Sequence, residues 1–452
     1  MNLNKFIIYT DNSINECLKK IELNKKGFVL ICERNNKLIG VVTDGDIRRK
    51  LLTSQNLNDN ILSFCNTEFI YANSNFSHES IYKLLDNKIK FIPILDNNIV
   101  VDIIDKDSIP ERKEKKFCAR SKSPVRISFG GGGSDTTNYF YENGGAVLNA
   151  SISIYSHCSL EKRIDNKIII DSYDLQLKCE YNDLNDLKIS KDNLKLIRAL
   201  INVINPKFGF ELFIQSDFPL GSGLGGSSAV LSSILGCFNE LRIDKWNQYE
   251  ISEIAYEAER LNLGVSGGWQ DQYATVFGGI NFMEFKQNEN LIHSIKIPNE
   301  VLFEFESNLI LCFTNSDHGN KNIHDDQKLN SKKVDTIKLI KKNVQIVYEM
   351  RNLLLKGNLN NFGELLNNAW ELKKSFSSLI SNKYLNEIYE MALQNGALGG
   401  KLLGAGGGGY FLFYTNNSKR NRLISWIDSL ENISFTPFKF DQEGMASWKA
   451  RT

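Results

Sequence analysis

No stretch of about 18 consecutive apolar residues occurs anywhere in this 452-residue chain, which removes the signature of a membrane-spanning helix. Its first residues, MNLNKFIIYTDNSINE, lack an apolar core followed by small residues, the mark of a secretory leader, so the expected location is the cytoplasm. A surplus of positive charge is missing too. The 54 Lys and Arg stand against 53 Asp and Glu, leaving no field of the kind that non-specific nucleic-acid or anionic-membrane binding requires. Neither nucleic acid nor a membrane is therefore an expected partner. The eight cysteines form no CxxC pair and no His stands at zinc-ligand spacing, so reduced, mostly buried thiols are expected rather than a zinc site. No Ser-His-Asp or Cys-His arrangement points to nucleophilic catalysis. Proline is scarce, at seven residues, and no function follows from that.

What is present is a globular composition, 42% hydrophobic and 24% charged. The length exceeds one ordinary core, since domains cluster at roughly 100–200 residues, and two or three domains are expected. The first 110 residues carry an approximate internal repeat. Gly27–Glu33 (GFVLICE) and Lys37–Arg48 (KLIGVVTDGDIR) return further along as Phe91–Asp96 (FIPILD) and Asn98–Asp105 (NIVVDIID). Each unit reads as two short buried strands around a polar turn, preceded by an amphipathic helix, Ser13–Asn24 in the first and His78–Asn87 in the second. Two stacked half-domains follow.

This repeat resembles a CBS pair, a regulatory α/β module that often binds adenine nucleotides between its halves. Gly40–Arg48 matches that family's ribose-binding stretch, and the resemblance implies that Thr43 and Asp46 contact ribose and phosphate. In the second half Ser108 stands where Asp46 stands in the first, so at most one nucleotide pocket is expected to be intact. An adenine-nucleotide sensor and a dimerisation scaffold that binds nothing both remain open, and a homodimer is the expected assembly. The charged stretch Asp105–Lys116, containing Pro110, reads as a linker. The expected domains are 1–110, a linker at 111–116, and a catalytic body divided into 117–300 and 301–452.

That body mixes strand-like runs (Val125–Phe129, Lys167–Asp171, Gly209–Gln215) with long amphipathic helices (Trp246–Asn262, Val334–Leu355, Asn361–Ser375), the pattern of an α+β enzyme. Its strongest signal is Asp217–Gly236, DFPLGSGLGGSSAVLSSILG, directly after a strand. Gly221, Ser222, Gly223, Leu224, Gly225, Gly226, Ser227 and Ser228 would present backbone N–H groups at a helix N-terminus, which is what holding a polyphosphate requires. The Gly-Lys-Ser/Thr of a P-loop is absent. A second cluster, Lys122–Asp135 (KSPVRISFGGGGSD), offers close backbone approach at Gly132, Gly133 and Ser134, and a carboxylate at Asp135 suited to sugar hydroxyls. Taken alone it also fits a β-hairpin turn. A third, Lys401–Tyr414 (KLLGAGGGGYFLFY), with Gly406 and Gly407, reads as a glycine loop packed on the phosphate cradle or lining the substrate, or as a simple hairpin.

In this order and at these separations, the three segments resemble the signature motifs of the GHMP kinases, over residues 117–452. The resemblance implies a two-lobed body, a ribosomal S5-like N-lobe plus a ferredoxin-like C-lobe, preceded here by the α/β CBS pair. Glu257–Gly264 (EAERLNLG), Gly267–Gly279 (GGWQDQYATVFGG), Asn322–Gln327 and Trp370–Lys374 look like the branch that phosphorylates D-glycero-D-manno-heptose 7-phosphate. What that implies is an ATP- and Mg2+-dependent sugar 1-kinase, making the 1,7-bisphosphate for nucleotide-activated heptose used in surface polysaccharide. A kinase for a free sugar such as fucose or galactose, and a nucleotide sensor with an inert kinase body, are the alternatives.

By the same resemblance Asp271 is the general base, and Arg126 braces it and draws charge from the γ-phosphate. Ser227 and Glu259 are the metal ligands, with Ser228 able to replace Ser227 because the loop is one residue longer than the shorter family version. Glu257 and Glu259 fall on different helix faces, so both cannot serve. For the substrate's own phosphate the candidates are Lys373, His318, Lys321 and His324.

Overall fold

The structure is a computed structural model and describes residues 2–52, 56–85, 89–105, 117–316 and 334–451. Ser108, His318, Lys321, His324, the segment Asn322–Gln327 and most of the expected linker lie outside the described residues. The chain divides into two compact units, Met1–Lys115 and Lys116–Thr452.

Within the first unit the sequence repeat becomes a repeated topology. Ile7–Tyr9, Phe28–Cys32 and Leu38–Thr43 form one three-stranded sheet, and Ala72–Asn73, Phe91–Asp96 and Ile99–Asp105 form another. In both, the first pair is parallel and the second antiparallel, with Ile7 opposite Leu30 and Ala72 opposite Ile94. The helices open on serine caps: Ser13 and Glu16 close a capping box at Ile14–Asn24, and Ser77 caps His78–Leu84. The two sheets share an apolar cluster that includes Leu30, Val41, Leu95 and Ile103, with the rings of Phe28 and Phe91 stacked at 3.4 Å.

In the second unit an eight-stranded sheet is built on the 18-residue strand Gly145–Lys162, buried at most of its positions. This strand pairs antiparallel with Phe117–Gly130 over Leu148–Leu160, with Phe210–Ser216 over Ser156–Lys162 and with Ile280–Phe285 over Gly145–Ala150. The last strand, Ala446–Arg451, returns to pair with Phe117–Gly130. A four-stranded antiparallel sheet follows, ordered Ala397–Leu402, Tyr410–Thr415, Leu309–Phe313, Ser434–Thr436, and the helix Leu359–Lys374 packs its buried Phe362, Leu366 and Trp370 into the adjoining core. The helix expected over 246–262 is present as Gln248–Tyr256 followed by a wider π turn, Glu257–Asn262. Such turns insert an extra residue into the helical repeat and frequently mark functional sites.

All eight cysteines are free and six are buried; desolvation pushes the Cys17, Cys32 and Cys312 thiols up to about 12, which keeps them protonated and unreactive. Among the described residues no helix is long and apolar enough to cross a membrane.

Candidate active site

The strand Phe210–Ser216 ends in the glycine loop that leads into the buried helix Gly226–Leu241. Gly221, Gly223 and Gly225 all have positive φ, 70°, 75° and 76°, a backbone region that residues with a Cβ occupy at a cost. Gly225 is the N-cap and supplies no side chain, so the first helical N–H groups are left for a ligand. A Cβ on Gly225 would stand 3.4 Å from both Arg126 and Asp271, which places the helix start directly over those two residues. A Cβ on Gly226 would strike the Phe218 ring at 2.4 Å.

Arg126 is 3% exposed, and all three of its guanidinium nitrogens are engaged. Nε donates to Asp271 Oδ1 at 2.8 Å, Nη2 to Asp271 Oδ2 at 2.9 Å, and Nη1 to the Gly223 carbonyl at 2.6 Å. Asp271 lies in the first turn of the helix Gln270–Phe277. Beside this pair Asp135 is buried, accepting from the N–H groups of Gly133 at 3.0 Å and Gln270 at 3.3 Å. Desolvation, then the charge of Asp271, holds the Asp135 carboxyl above the usual carboxylate range.

On the far side of the loop the π turn brings Glu259 inward, 2% exposed, while Glu257 stays at the surface. Both serines meet Glu259: Ser227 Oγ donates to Oε1 at 2.5 Å and Ser228 Oγ to Oε2 at 3.1 Å. Gln272 Nε2 also donates to Oε2, at 2.7 Å, a contact the sequence reading missed. The two hydroxyls and one carboxylate are hard oxygen donors of the kind magnesium accepts.

The third glycine segment packs on the second. A Cβ on Gly404 would lie 2.6 Å from Gly223 Cα, and one on Gly409 would lie 2.5 Å from the Ser222 carbonyl. Two buried lysines come in with it. Lys373 donates to the carbonyls of Leu402 at 3.3 Å and Gly404 at 2.5 Å. Desolvation, reinforced by Arg126 and opposed by Asp135 and Asp271, lowers Lys373 to about 8. Lys401 is 4% exposed and held well below the usual lysine range by desolvation, then by the like charges of Lys373 and Arg126.

These groups line one cavity of about 870 Å3. Of the sequence candidates it takes in Arg126, Gly132, Gly133, Asp135, Gly221, Ser222, Gly223, Gly225, Gly226, Ser227, Glu259, Asp271, Lys373 and Gly406. Leu224, Ser228, Ser134 and Gly407 stand behind the wall: Ser134 Oγ ties the first loop to the carbonyls of Gly131 and Ala146, and the Gly407 N–H bonds to the Ile380 carbonyl. Thr43 and Asp46 belong to the first unit, where each caps the other at the start of the helix Asp44–Leu51.

The comparisons with known proteins give the family of each part of the chain. Residues 191–279 match the GHMP kinases N terminal domain, residues 350–425 the GHMP kinases C terminal domain, and residues 1–53 the CBS domain. Over 339 residues the chain is 38% identical to the D-glycero-alpha-D-manno-heptose 7-phosphate kinase of Campylobacter jejuni, spanning 73% of this chain and 98% of the relative. The chain is a GHMP kinase.

As a GHMP kinase it is an enzyme, and a CBS domain stands at its N-terminus. A crystal structure of a D-glycero-D-manno-heptose 1-phosphate kinase from Bacteroides thetaiotaomicron superposes with a TM-score of 0.62 at 31% identity, over 74% of this chain and all of that one. Lactococcus lactis galactokinase, solved with galactose, shares the fold at a TM-score of 0.59 and 20% identity, over 75% of this chain and 96% of that one. The two-lobed kinase body and the N-terminal CBS module expected from the sequence are both present. The GHMP kinase cavity also contains residues to which the sequence reading had given no individual role: Lys401, Gln270 and Arg260, which stand inside the motifs, and Asp174, which does not.

Proposed function

We propose that this GHMP kinase transfers the γ-phosphoryl group of ATP to the anomeric hydroxyl of D-glycero-D-manno-heptose 7-phosphate, giving the 1,7-bisphosphate and ADP. The observation that carries this reading is the 38% identity to a heptose 7-phosphate kinase across nearly that protein's whole length. It is supported by a cavity that faces the glycine loop and holds Asp135 and the Arg126–Asp271 pair together.

Each part of the chemistry has a residue suited to it. Phosphoryl transfer needs an in-line acceptor, neutralised phosphate charge and an exit for the acceptor proton. The N–H groups of Gly221–Ser228 receive the triphosphate. Ser227, or Ser228 behind it, and Glu259 are the residues that would hold Mg2+, which when bound neutralises charge on the phosphates. Among the described residues no group of three or more His, Cys, Asp or Glu could hold a metal ion. One carboxylate with a hydroxyl suits an ion whose remaining ligands are phosphate oxygens and water.

Asp135, whose two carboxylate oxygens each accept one backbone N–H, orients the sugar through its hydroxyls. Asp271 takes the proton of the anomeric hydroxyl, and the Arg126 fork fixes the carboxylate in place for that transfer. At the first unit, an adenine nucleotide at Thr43 and Asp46 is proposed with the CBS resemblance as its support. Calorimetric titration of the full chain and of Asp46→Ala with AMP and ATP tests it; identical heats in the two proteins remove the assignment.

The test of the kinase reading is ATP turnover against heptose 7-phosphate, its epimers, and non-phosphorylated heptose, fucose and galactose. Turnover highest on heptose 7-phosphate is expected. Equal or better turnover of a free sugar replaces that substrate with the free sugar.

A further inference from the structure

Among the described residues Lys401 is a buried amine with no hydrogen bond or salt bridge of its own. Its strand neighbours are apolar, its side chain lines the cavity, and no described residue accepts a hydrogen bond from its ammonium group. An ammonium removed from water without a partner is costly, so such a group is seldom kept for stability. The cations at this end of the cavity, Arg126, Lys373 and Lys401, outnumber the carboxylates, Asp135 and Asp271, and the Arg126–Asp271 pair is already closed on itself. Lys373 spends two of its three N–H donors on the Leu402 and Gly404 carbonyls and keeps one. Two further buried polar atoms on the cavity wall, Ser128 Oγ and Gln270 Oε1, also have no hydrogen-bond partner among the described residues. Gln270 Oε1 is an acceptor, but the Lys401 and Lys373 amines and the Ser128 hydroxyl are donors with capacity left, and such donors beside an excess of positive charge describe a site built for a hydrogen-bonding anion.

We propose that Lys401 and Lys373 form an anion site that takes a phosphate dianion, with the free Ser128 hydroxyl as a further donor at its edge. This rests on the reading of the enzyme as a sugar-phosphate kinase. Two phosphates share that chemistry, the acceptor's own and the one being transferred. Binding of either returns both amines to the fully protonated state, because a nearby dianion favours the ammonium form. Affinity therefore falls as pH rises through the Lys373 value of about 8. Three charged groups act on the Lys373 titration: Arg126 on the strand Phe117–Gly130, Asp135 on the first glycine loop, and Asp271 at the start of Gln270–Phe277; Lys401 in turn feels Lys373, Arg126 and Asp135.

The experiment compares the full-length wild type with Lys401→Met and Lys401→Gln by thermal denaturation, with and without inorganic phosphate, and by steady-state kinetics. Phosphate is expected to raise the wild-type melting temperature by clearly more than that of either variant. Lys401→Met, which replaces a desolvated ammonium with an apolar chain of similar length, is expected to melt at the wild-type temperature or above it. Its kcat/KM is expected to fall about tenfold or more, the scale of a lost charge-assisted hydrogen bond. A rise in KM confined to the phosphorylated acceptor assigns the site to the acceptor's phosphate. A fall in kcat with both KM values unchanged assigns it to the transferred group.

Variants that melt several degrees lower while keeping the phosphate effect and wild-type turnover overturn the proposal and make Lys401 a structural residue. A wild type that phosphate does not stabilise overturns it as well. If phosphate stabilises the wild type through Lys401 and no sugar phosphate is turned over, only the substrate assignment falls.

Discussion

Arg126 and Asp271 meet fork to fork, Nε to Oδ1 at 2.8 Å and Nη2 to Oδ2 at 2.9 Å, while the third nitrogen of Arg126 holds the Gly223 carbonyl at 2.6 Å. One guanidinium therefore ties the candidate proton acceptor to the loop proposed to receive the phosphates. Lysine has the charge of arginine but not its planar fork, so it cannot make these three contacts in this geometry. In the proposed mechanism the spacing of base and phosphate loop therefore depends on a single buried side chain.

Asp271→Asn keeps the size of the side chain and one acceptor for Arg126, but cannot take a proton. Folding is expected to survive, and kcat is expected to fall by about 100-fold or more, the range of a lost general base. Circular dichroism and ATP turnover, measured on the same preparation, check both halves. Wild-type turnover in a folded Asp271→Asn protein sinks the base assignment.

Gly268 lies against the Asp135 carboxylate, where a Cβ would come within 1.9 Å of Oδ2. Gly268→Ala must therefore push Asp135 off its two backbone donors. A displacement of about 1 Å at a positioning group can cost on the order of 100-fold in rate, so kcat/KM for the sugar should drop on that scale with the KM for ATP little changed. An equal rise in both KM values would instead mean that the whole cavity had shifted.

Much of this site could be read before any coordinates because its signals are local. A glycine run between a strand and a helix specifies an N–H cradle by itself, and Asp271, Arg126 and Glu259 stand within or beside motifs that resemble a known family. The rest depends on tertiary packing. Lys401 sits in a run of apolar strand residues, and only the approach of the helix that carries Lys373 turns it into half of a buried pair; the one local hint is a charge at the head of KLLGAGGGG. The π turn at Glu257–Asn262 was invisible to helical periodicity, because one inserted residue leaves the apolar pattern nearly intact. In the first unit the sequence repeat, the strand pairs and the serine-capped helices were all legible, since alternation and caps are local rules. Thr43 and Asp46 were read through their resemblance to nucleotide contacts, and the structure adds that they also bond to one another in a capping box.

Lys373 gives the folded protein a pH dependence whose sign follows from its depressed value. Its folded pKa of about 8 lies below the roughly 10.4 of an unfolded lysine, so between these limits the unfolded chain holds a proton that the native state has released. Stability contributed by this group is therefore fully present above the unfolded value and lost as pH falls through 8. Relative to Lys373→Met, the wild type should gain about 1.4 kcal/mol per pH unit between roughly pH 8 and 10 and change little below that window. Urea denaturation of both proteins across the range measures the difference. A flat difference curve would place Lys373 in water rather than in the cavity wall.

Gly223 and Gly404 occupy one contact from opposite sides: a Cβ on Gly223 would meet the Leu403 carbonyl at 2.9 Å, and a Cβ on Gly404 would meet Gly223 Cα at 2.6 Å. Both also have positive φ, 75° and 68°, so alanine at either adds about 1 kcal/mol of backbone strain to the clash. Each single alanine variant should separate the two glycine segments and lower kcat/KM for ATP by about 10-fold or more. Once either alanine has opened the contact, the clash at the other position is already relieved and only its backbone strain remains to be added. The double variant should therefore fall short of the sum of the singles by about 1 kcal/mol, the range seen for residues in direct contact. Thermal denaturation and ATP kinetics on the four proteins of that cycle give the coupling; strict additivity would mean that the second and third glycine segments move independently, and the shared wall of the proposed nucleotide site would have to be redrawn.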